Sequence, residues 1–296
     1  MNGKHFDRKH EEYLEISTDQ HFSLKKVPVK AIRRKMSDHQ YQKNLERNIS
    51  LISELQTRLY AEHSRALLIV LQGMDTSGKD GAIKHVMSGI NPQGCQVVSF
   101  KSPTQTELDH DFLWRVNRAL PPRGHIGIFN RSYYEEVLIT QIHPELLEDE
   151  MLPMGKRDNK SFWQHRYKDI VNHEKYLHRQ GYEILKIFIH ISKKEQRDRL
   201  LDRFSNPNKH WKISEGDVRE RQYWDEYQAA YEGCIQHTAS KSCPWYIVAG
   251  DDKKTARLTI SKLLIQRLEL LDLKYPKLTS AQNQKLERLQ ADLLKE

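Results

Sequence analysis

Apolar positions along this chain follow two rhythms. Tyr41, Leu45, Ile49, Ile52, Leu55 and Leu59 recur at helical spacing, which predicts a long amphipathic helix to about residue 62, and Ser37 with Gln40 stands where a capping box would open it. Beyond it come short continuous apolar runs at residues 66–72, 96–100, 125–130, 184–192 and 245–249, rich in β-branched residues and bounded by Gly, Pro or polar turns. Strands alternating with longer helical stretches predict an α/β fold: a five-stranded parallel sheet with right-handed crossovers and helices on both faces, in three layers. In such sheets ligands bind at the carboxyl ends of the strands.

The flanking segments are expected to be helical or irregular. Residues 253–273 read as a closing helix ended by Pro276, and Thr279 with Gln282 marks the cap of a last helix. Residues 107–122 read as an amphipathic helix stopping before Pro121, and Leu200, Leu201 and Phe204 as the buried face of a charged helix. The first 36 residues read as an irregular basic arm, with Lys25, Lys26, Lys30, Arg33, Arg34 and Lys35 around Pro28. The expected division is an arm at 1–36, one sheet domain at 37–275 with a closing lid near 193–222, and a C-terminal helix at 276–296. Helical extensions at both ends are surplus surface suited to oligomerisation.

Composition narrows the class. The apolar runs are too short to cross a bilayer and the N-terminus lacks the apolar stretch of a secretory signal, so a cytoplasmic protein without membrane contact is expected. Cys95, Cys234 and Cys243 are widely spaced, which indicates neither a disulfide framework nor a zinc site. A net charge of +8 points to a polyanionic partner: nucleic acid, an acidic surface or a phosphorylated small substrate.

Candidate chemistry begins where the first run ends. Residues 73–81 read Gly-Met-Asp-Thr-Ser-Gly-Lys-Asp-Gly, and Ile83, Val86 and Met87 continue as a helix. Strand, glycine-rich loop, helix is the setting of a P-loop-like phosphate cradle, in which backbone N–H groups and the helix N-terminus surround phosphate oxygens. Gly78 supplies the turn and Lys79 a charge on a flexible stem. The hydroxyl residue that usually follows the lysine and ligates Mg²⁺ is replaced by Asp80, and Asp75 lies inside the loop. Asp75 either holds Mg²⁺, orients an acceptor phosphate, or hydrogen-bonds its own turn.

Two further stretches carry charge at strand ends. Asn130 occupies the place of the acidic metal or water ligand after the third run, Arg131 beside it can clamp a phosphate in bidentate fashion, and Glu135 either supplies the missing carboxylate or caps the next helix. After the fourth run, residues 197–212 hold five Lys or Arg against two Asp, a landing strip for a linear polyanion. Arg199 and Arg203 share a helix face, and Lys209 and Lys212 lie in a loop where nucleotide kinases place a lid.

Taken in order, Gly73-x-Asp75-x-x-Gly78-Lys79, residues 129–135 of the type F-N-R-S-x-Y-E, and the basic stretch 208–212 resemble the second family of polyphosphate kinases, over residues 25–275. The resemblance implies a thymidylate-kinase-like fold, Mg²⁺, inorganic polyphosphate as donor, a nucleoside mono- or diphosphate as acceptor, and a homodimer or homotetramer. It implies polyphosphate along Gly78, Lys79, Arg199, Arg203, Lys209 and Lys212, Mg²⁺ at Asp75 and Glu135 beside Asn130, and the acceptor held by Arg131 together with Trp114 and Arg115 in the nucleotide region. Many members carry Asp where this chain has Asn130; Asn followed by Glu135 resembles the subgroup that phosphorylates both AMP and ADP. The rivals are an ATP-dependent nucleoside monophosphate kinase, against which the unusual loop speaks, and a non-catalytic nucleic-acid binder. The basic residues gather around a kinase-spaced loop and form no recognised nucleic-acid motif, so no nucleic acid is expected as a partner.

Overall fold

In a computed structural model the described residues are 12–18, 21–31, 36–148, 150, 152 and 161–296. Arg33, Arg34 and Lys35 of the expected arm lie outside them. The described strands are β1 (Tyr13–Ile16), β2 (Ala66–Gln72), β3 (Cys95–Ser99), β4 (Ile126–Asn130), β5 (Tyr182–His190) and β6 (Trp245–Ala249). The α-helices are α1 (Asp38–Glu62), α2 (Lys79–Val86), α3 (Gln105–Leu108), α4 (Trp114–Arg118), α5 (Ile139–Ile142), α6 (Ser161–Arg179), α7 (Lys193–Ser205), α8 (Glu215–Glu220), α9 (Trp224–Thr238), α10 (Lys253–Leu270) and α11 (Ser280–Leu293).

Strand order is β1-β6-β5-β2-β4-β3. The five strands from β2 to β6 are parallel, and each matches a predicted apolar run to within two residues. All seven residues of β2 are buried, as a central strand covered on both faces must be. The sheet is nevertheless mixed. β1, in the segment expected to be irregular, pairs antiparallel with β6 from Tyr13 opposite Val248 to Ile16 opposite Trp245, covering an edge that would otherwise expose unpaired backbone groups.

Alternate residues of the strands face two cores. Leu68, Val70, Phe129, Phe188 and Trp245 pack with Tyr133, Tyr134, Tyr167, Ile170 and Tyr231 on one side. Leu67, Ile69, Leu71, Leu185 and Ile187 pack with Ile52, Leu59, Val86, Ile260 and Leu264 on the other. Both predicted capping boxes form, Ser37 with Gln40 and Thr279 with Gln282, fixing the starts of α1 and α11.

Two local expectations fail. Residues 107–122 form two short helices rather than one, because Thr104 and Glu107 close a capping box on α3 and the chain turns at Asp109 before α4. On α7 Leu200 is buried, but Leu201 and Phe204 are about half exposed: the helix presents one narrow face to the sheet, and Gln196 and Arg199 occupy the rest of it. None of the residues of α11 is buried. Among the described residues no helix is long and apolar enough to cross a membrane.

Candidate active site

The strand ends of β2 to β6 surround a cleft, and its floor is the loop 73–78. Gly73 adopts φ 150°, and a Cβ there would lie 2.7 Å from the Ile189 carbonyl and 2.8 Å from Ser77 Oγ, so only glycine fits. Gly78, at φ 109°, turns the chain into α2, and Thr76 also takes a left-handed φ of 61°. Lys79, 8% exposed, sends its ammonium back into the loop, donating to the Gly73 carbonyl at 2.6 Å, the Met74 carbonyl at 3.2 Å and Ser77 Oγ at 3.5 Å. Burial and then the nearby Arg131 lower its pKa, against the pull of Asp75, Glu135 and Asp80.

Arg131 follows β4 in a left-handed conformation, φ 61°, and its Nη2 donates to Asp75 Oδ1 at 2.7 Å. Burial opposes its charge, but Glu135 and Asp75 outweigh burial and raise its pKa, so it stays a cation. Burial raises the pKa of Glu135, with Arg131 and Lys79 drawing it back down. The Gln72 amide lies between Ser132 and Glu135; turned to satisfy both, its NH₂ donates to Glu135 Oε1 at 3.0 Å and its oxygen accepts from Ser132 Oγ at 3.1 Å. Asn130 Nδ2 donates to Asp80 Oδ1 at 2.7 Å. The two departures from the usual pattern thus touch each other: an amide at the end of β4 is the neutral complement of a carboxylate on α2, where two carboxylates would repel.

Arg199 is buried, and every guanidinium N–H has an acceptor. Nη1 donates to the Thr76 and Ser77 carbonyls at 2.9 and 2.8 Å, Nη2 to the Gly250 and Asp251 carbonyls at 2.6 and 3.2 Å, and Nε to Glu195 at 2.7 Å. Its charge faces the cleft, and these bonds, which engage all five donors, tie the loop to the end of β6 and to Glu195 on α7. Arg203 is different. It donates to Asp217 at 2.5 Å and to the Lys212 carbonyl at 2.9 Å, while Lys209 pairs with Asp202 at 2.5 Å and the Lys212 ammonium lies over the exposed Trp211 ring at 4.8 Å.

The cleft above this floor has a volume of about 660 Å³, and among the described residues nine Lys or Arg line it against four Asp. Lys101, Lys253 and Arg257 belong to that lining and were not singled out from the sequence. A signal was present for the last two: they lie four residues apart at the start of the helix that follows the fifth strand. A second cavity of about 160 Å³ adjoins the first and shares Phe100, Lys101, Ser102 and Arg131 with it. Arg131 therefore stands at the junction of the two.

Trp114 and Arg115 are not brought to that junction as free groups. Trp114 stacks on His110 at 4.0 Å and carries Arg118 on its ring at 4.8 Å, in a third, open cavity beside β3. Arg115 lines the smaller cavity but is buried, donating to Glu136 at 2.6 Å and to the Lys101 carbonyl at 2.8 Å.

As for a metal, Asp75, Asp80, Glu135, the Asn130 carbonyl group and the Thr76 hydroxyl are hard oxygen donors, and Thr76 Oγ1 is buried without a partner. Among the described residues no three acidic, His or Cys side chains form a cage. That donor set fits Mg²⁺, which is commonly held by one or two carboxylates plus substrate phosphates rather than by protein alone.

The model of the family described as Polyphosphate kinase 2 matches residues 35–276, and the chain belongs to that family. It is 50% identical over 272 residues to the ADP-polyphosphate phosphotransferase of Rhodopseudomonas palustris, covering 92% of this chain and 94% of that one. With the AMP/ADP-polyphosphate phosphotransferase of Meiothermus ruber it shares 42% identity, covering 76% of this chain and 80% of the other. The crystal structure of polyphosphate kinase 2 from Arthrobacter aurescens superposes with a TM-score of 0.81 at 36% identity, over 91% of this chain and 94% of that one.

Proposed function

We propose that this chain transfers a phosphoryl group between inorganic polyphosphate and a nucleotide, converting AMP to ADP or ADP to ATP reversibly, with Mg²⁺. One observation carries the reading: a larger cleft lined by nine Lys or Arg against four Asp and a smaller cavity meet at Arg131 beside a glycine-rich loop. A chain of phosphates suits the first, a nucleotide the second. The names of the Rhodopseudomonas and Meiothermus relatives agree with it, and the order of the parallel strands around β2 supports a P-loop kinase-like assignment of the fold.

In this mechanism the terminal polyphosphate group lies over the loop, where Lys79, kept in place by the Gly73 and Met74 carbonyls, turns its third N–H to phosphate oxygens and the first turn of α2 adds N–H groups. Arg131 bridges the donor's end and the acceptor phosphate, aligning acceptor oxygen and phosphorus, so catalysis is positioning and charge neutralisation. Asp75 and Glu135 would hold Mg²⁺, which supplies neutralisation of phosphate oxygens when bound. Arg199 acts by holding the loop; Arg203, Lys209, Lys212, Lys253 and Arg257 receive the chain, and residues 193–222 act as the lid. The exposed Leu286, Leu289 and Leu293 of α11 support a homo-oligomer.

The test is a donor swap. Purified protein given ADP, long-chain polyphosphate and Mg²⁺, with no other nucleotide, should form ATP, and chelation of the metal should stop it. Absence of product from both AMP and ADP, with turnover of AMP only when ATP is supplied, would defeat this reading in favour of an ATP-dependent kinase.

A further inference from the structure

The turn that carries Arg131 and Glu135 is pinned from below. Between those residues stand Tyr133 and Tyr134, both fully buried and in the lining of neither cavity. Their hydroxyls both donate to Oε1 of Glu174 on α6, at 2.8 and 2.6 Å. Oε2 of the same carboxylate accepts from Lys186 Nζ at 2.7 Å. Lys186, in the middle of β5 and 0% exposed, also donates to the Thr238 carbonyl at 2.8 Å and to the Tyr134 hydroxyl at 3.1 Å. The network is closed: the ammonium has three acceptors and each carboxylate oxygen a donor.

A buried ion pair is a poor device for stability alone, since well-packed apolar replacements are often as stable. What it supplies is direction. In a strand, consecutive side chains point to opposite faces. Here two consecutive tyrosines point to the same side, because residues 133–137 form a 3₁₀ turn, and one carboxylate receives both. Fixing those two hydroxyls fixes the turn, and the turn sets where Arg131, in its left-handed conformation, and Glu135 enter the junction of the cavities.

We infer that Glu174 and Lys186 are positioning residues for phosphoryl transfer, acting through Tyr133 and Tyr134 on Arg131 and Glu135. The inference rests on the transfer reading above. Two double variants test it beside the wild type: Glu174→Leu with Lys186→Met, and the milder Tyr133→Phe with Tyr134→Phe, which removes only hydroxyls. For each, the melting temperature and the kcat and KM for polyphosphate are measured in ATP formation from ADP. The expected result is kcat lower by about tenfold or more, since displacements near 1 Å can cost about 10²-fold. KM for polyphosphate should stay within about twofold, because the other cations of the larger cleft are untouched. A kcat within about twofold of wild type in the tyrosine variant, or a loss that disappears once the folded fraction is counted, would overturn the inference. Should the charge-pair variant fail to fold, the tyrosine variant still decides. An inactive wild type would instead remove the transfer reading, and this inference with it.

Discussion

The floor and the rim of the cleft are held by different kinds of contact, although two of their arginines lie four residues apart on one helix. At the floor, Arg199 donates to four backbone carbonyls and Lys79 to two, groups that cannot leave. At the rim, Arg203 and Lys209 are paired with the side chains of Asp217 and Asp202, and Arg203 has a single backbone acceptor, the Lys212 carbonyl. Burial and the proximity of Asp75 raise the pKa of Asp217 against the pull of Arg203. In the proposed function, preorganisation belongs at the floor, where the transferring group would sit, and exchangeable pairs at the rim, where a chain of phosphates would enter, slide and leave.

Breaking the floor should have the largest effect. Lys79→Ala is expected to lower kcat on the order of 10²-fold or more, as loss of one preorganised electrostatic contact does, in steady-state turnover of ADP with polyphosphate. Arg199→Ala should unfold the loop's anchorage, costing about 3 kcal/mol of stability in denaturant titration through the carbonyls it leaves unpaired, and lowering kcat with it. At the rim the pattern reverses. Lys209→Ala with Lys212→Ala should raise KM for polyphosphate about tenfold with kcat nearly kept, and the difference from wild type should shrink as salt is added. A large loss of kcat in this last variant would show that the rim takes part in the chemistry.

The sequence reading was strongest where local pattern decides structure. The five parallel strands are continuous apolar runs bounded by turns, and the glycines of the loop are imposed by backbone geometry, so both could be read directly. β1 could not: Tyr-Leu-Glu-Ile is four residues long and half charged or amphipathic, and only the open edge of β6 makes it a strand. The fates of the cations were equally hidden. Whether Arg199 meets a ligand or the protein depends on carbonyls of Thr76, Ser77 and Gly250, brought to it by folding across 51 to 123 positions. Asp80 and Asn130 each looked like an isolated departure, and their pairing exists only because β2 and β4 are neighbours. Lys253 and Arg257 carried a usable signal in their place after a strand end.

Phosphorus NMR of polyphosphate, ADP and Mg²⁺ with the purified protein tests the transfer most directly. The γ-phosphate resonance of ATP should grow as terminal groups pass from the chain, with shortened polyphosphate as co-product and little orthophosphate. Release of orthophosphate without nucleotide phosphorylation, or an unchanged spectrum until ATP is added, would contradict it.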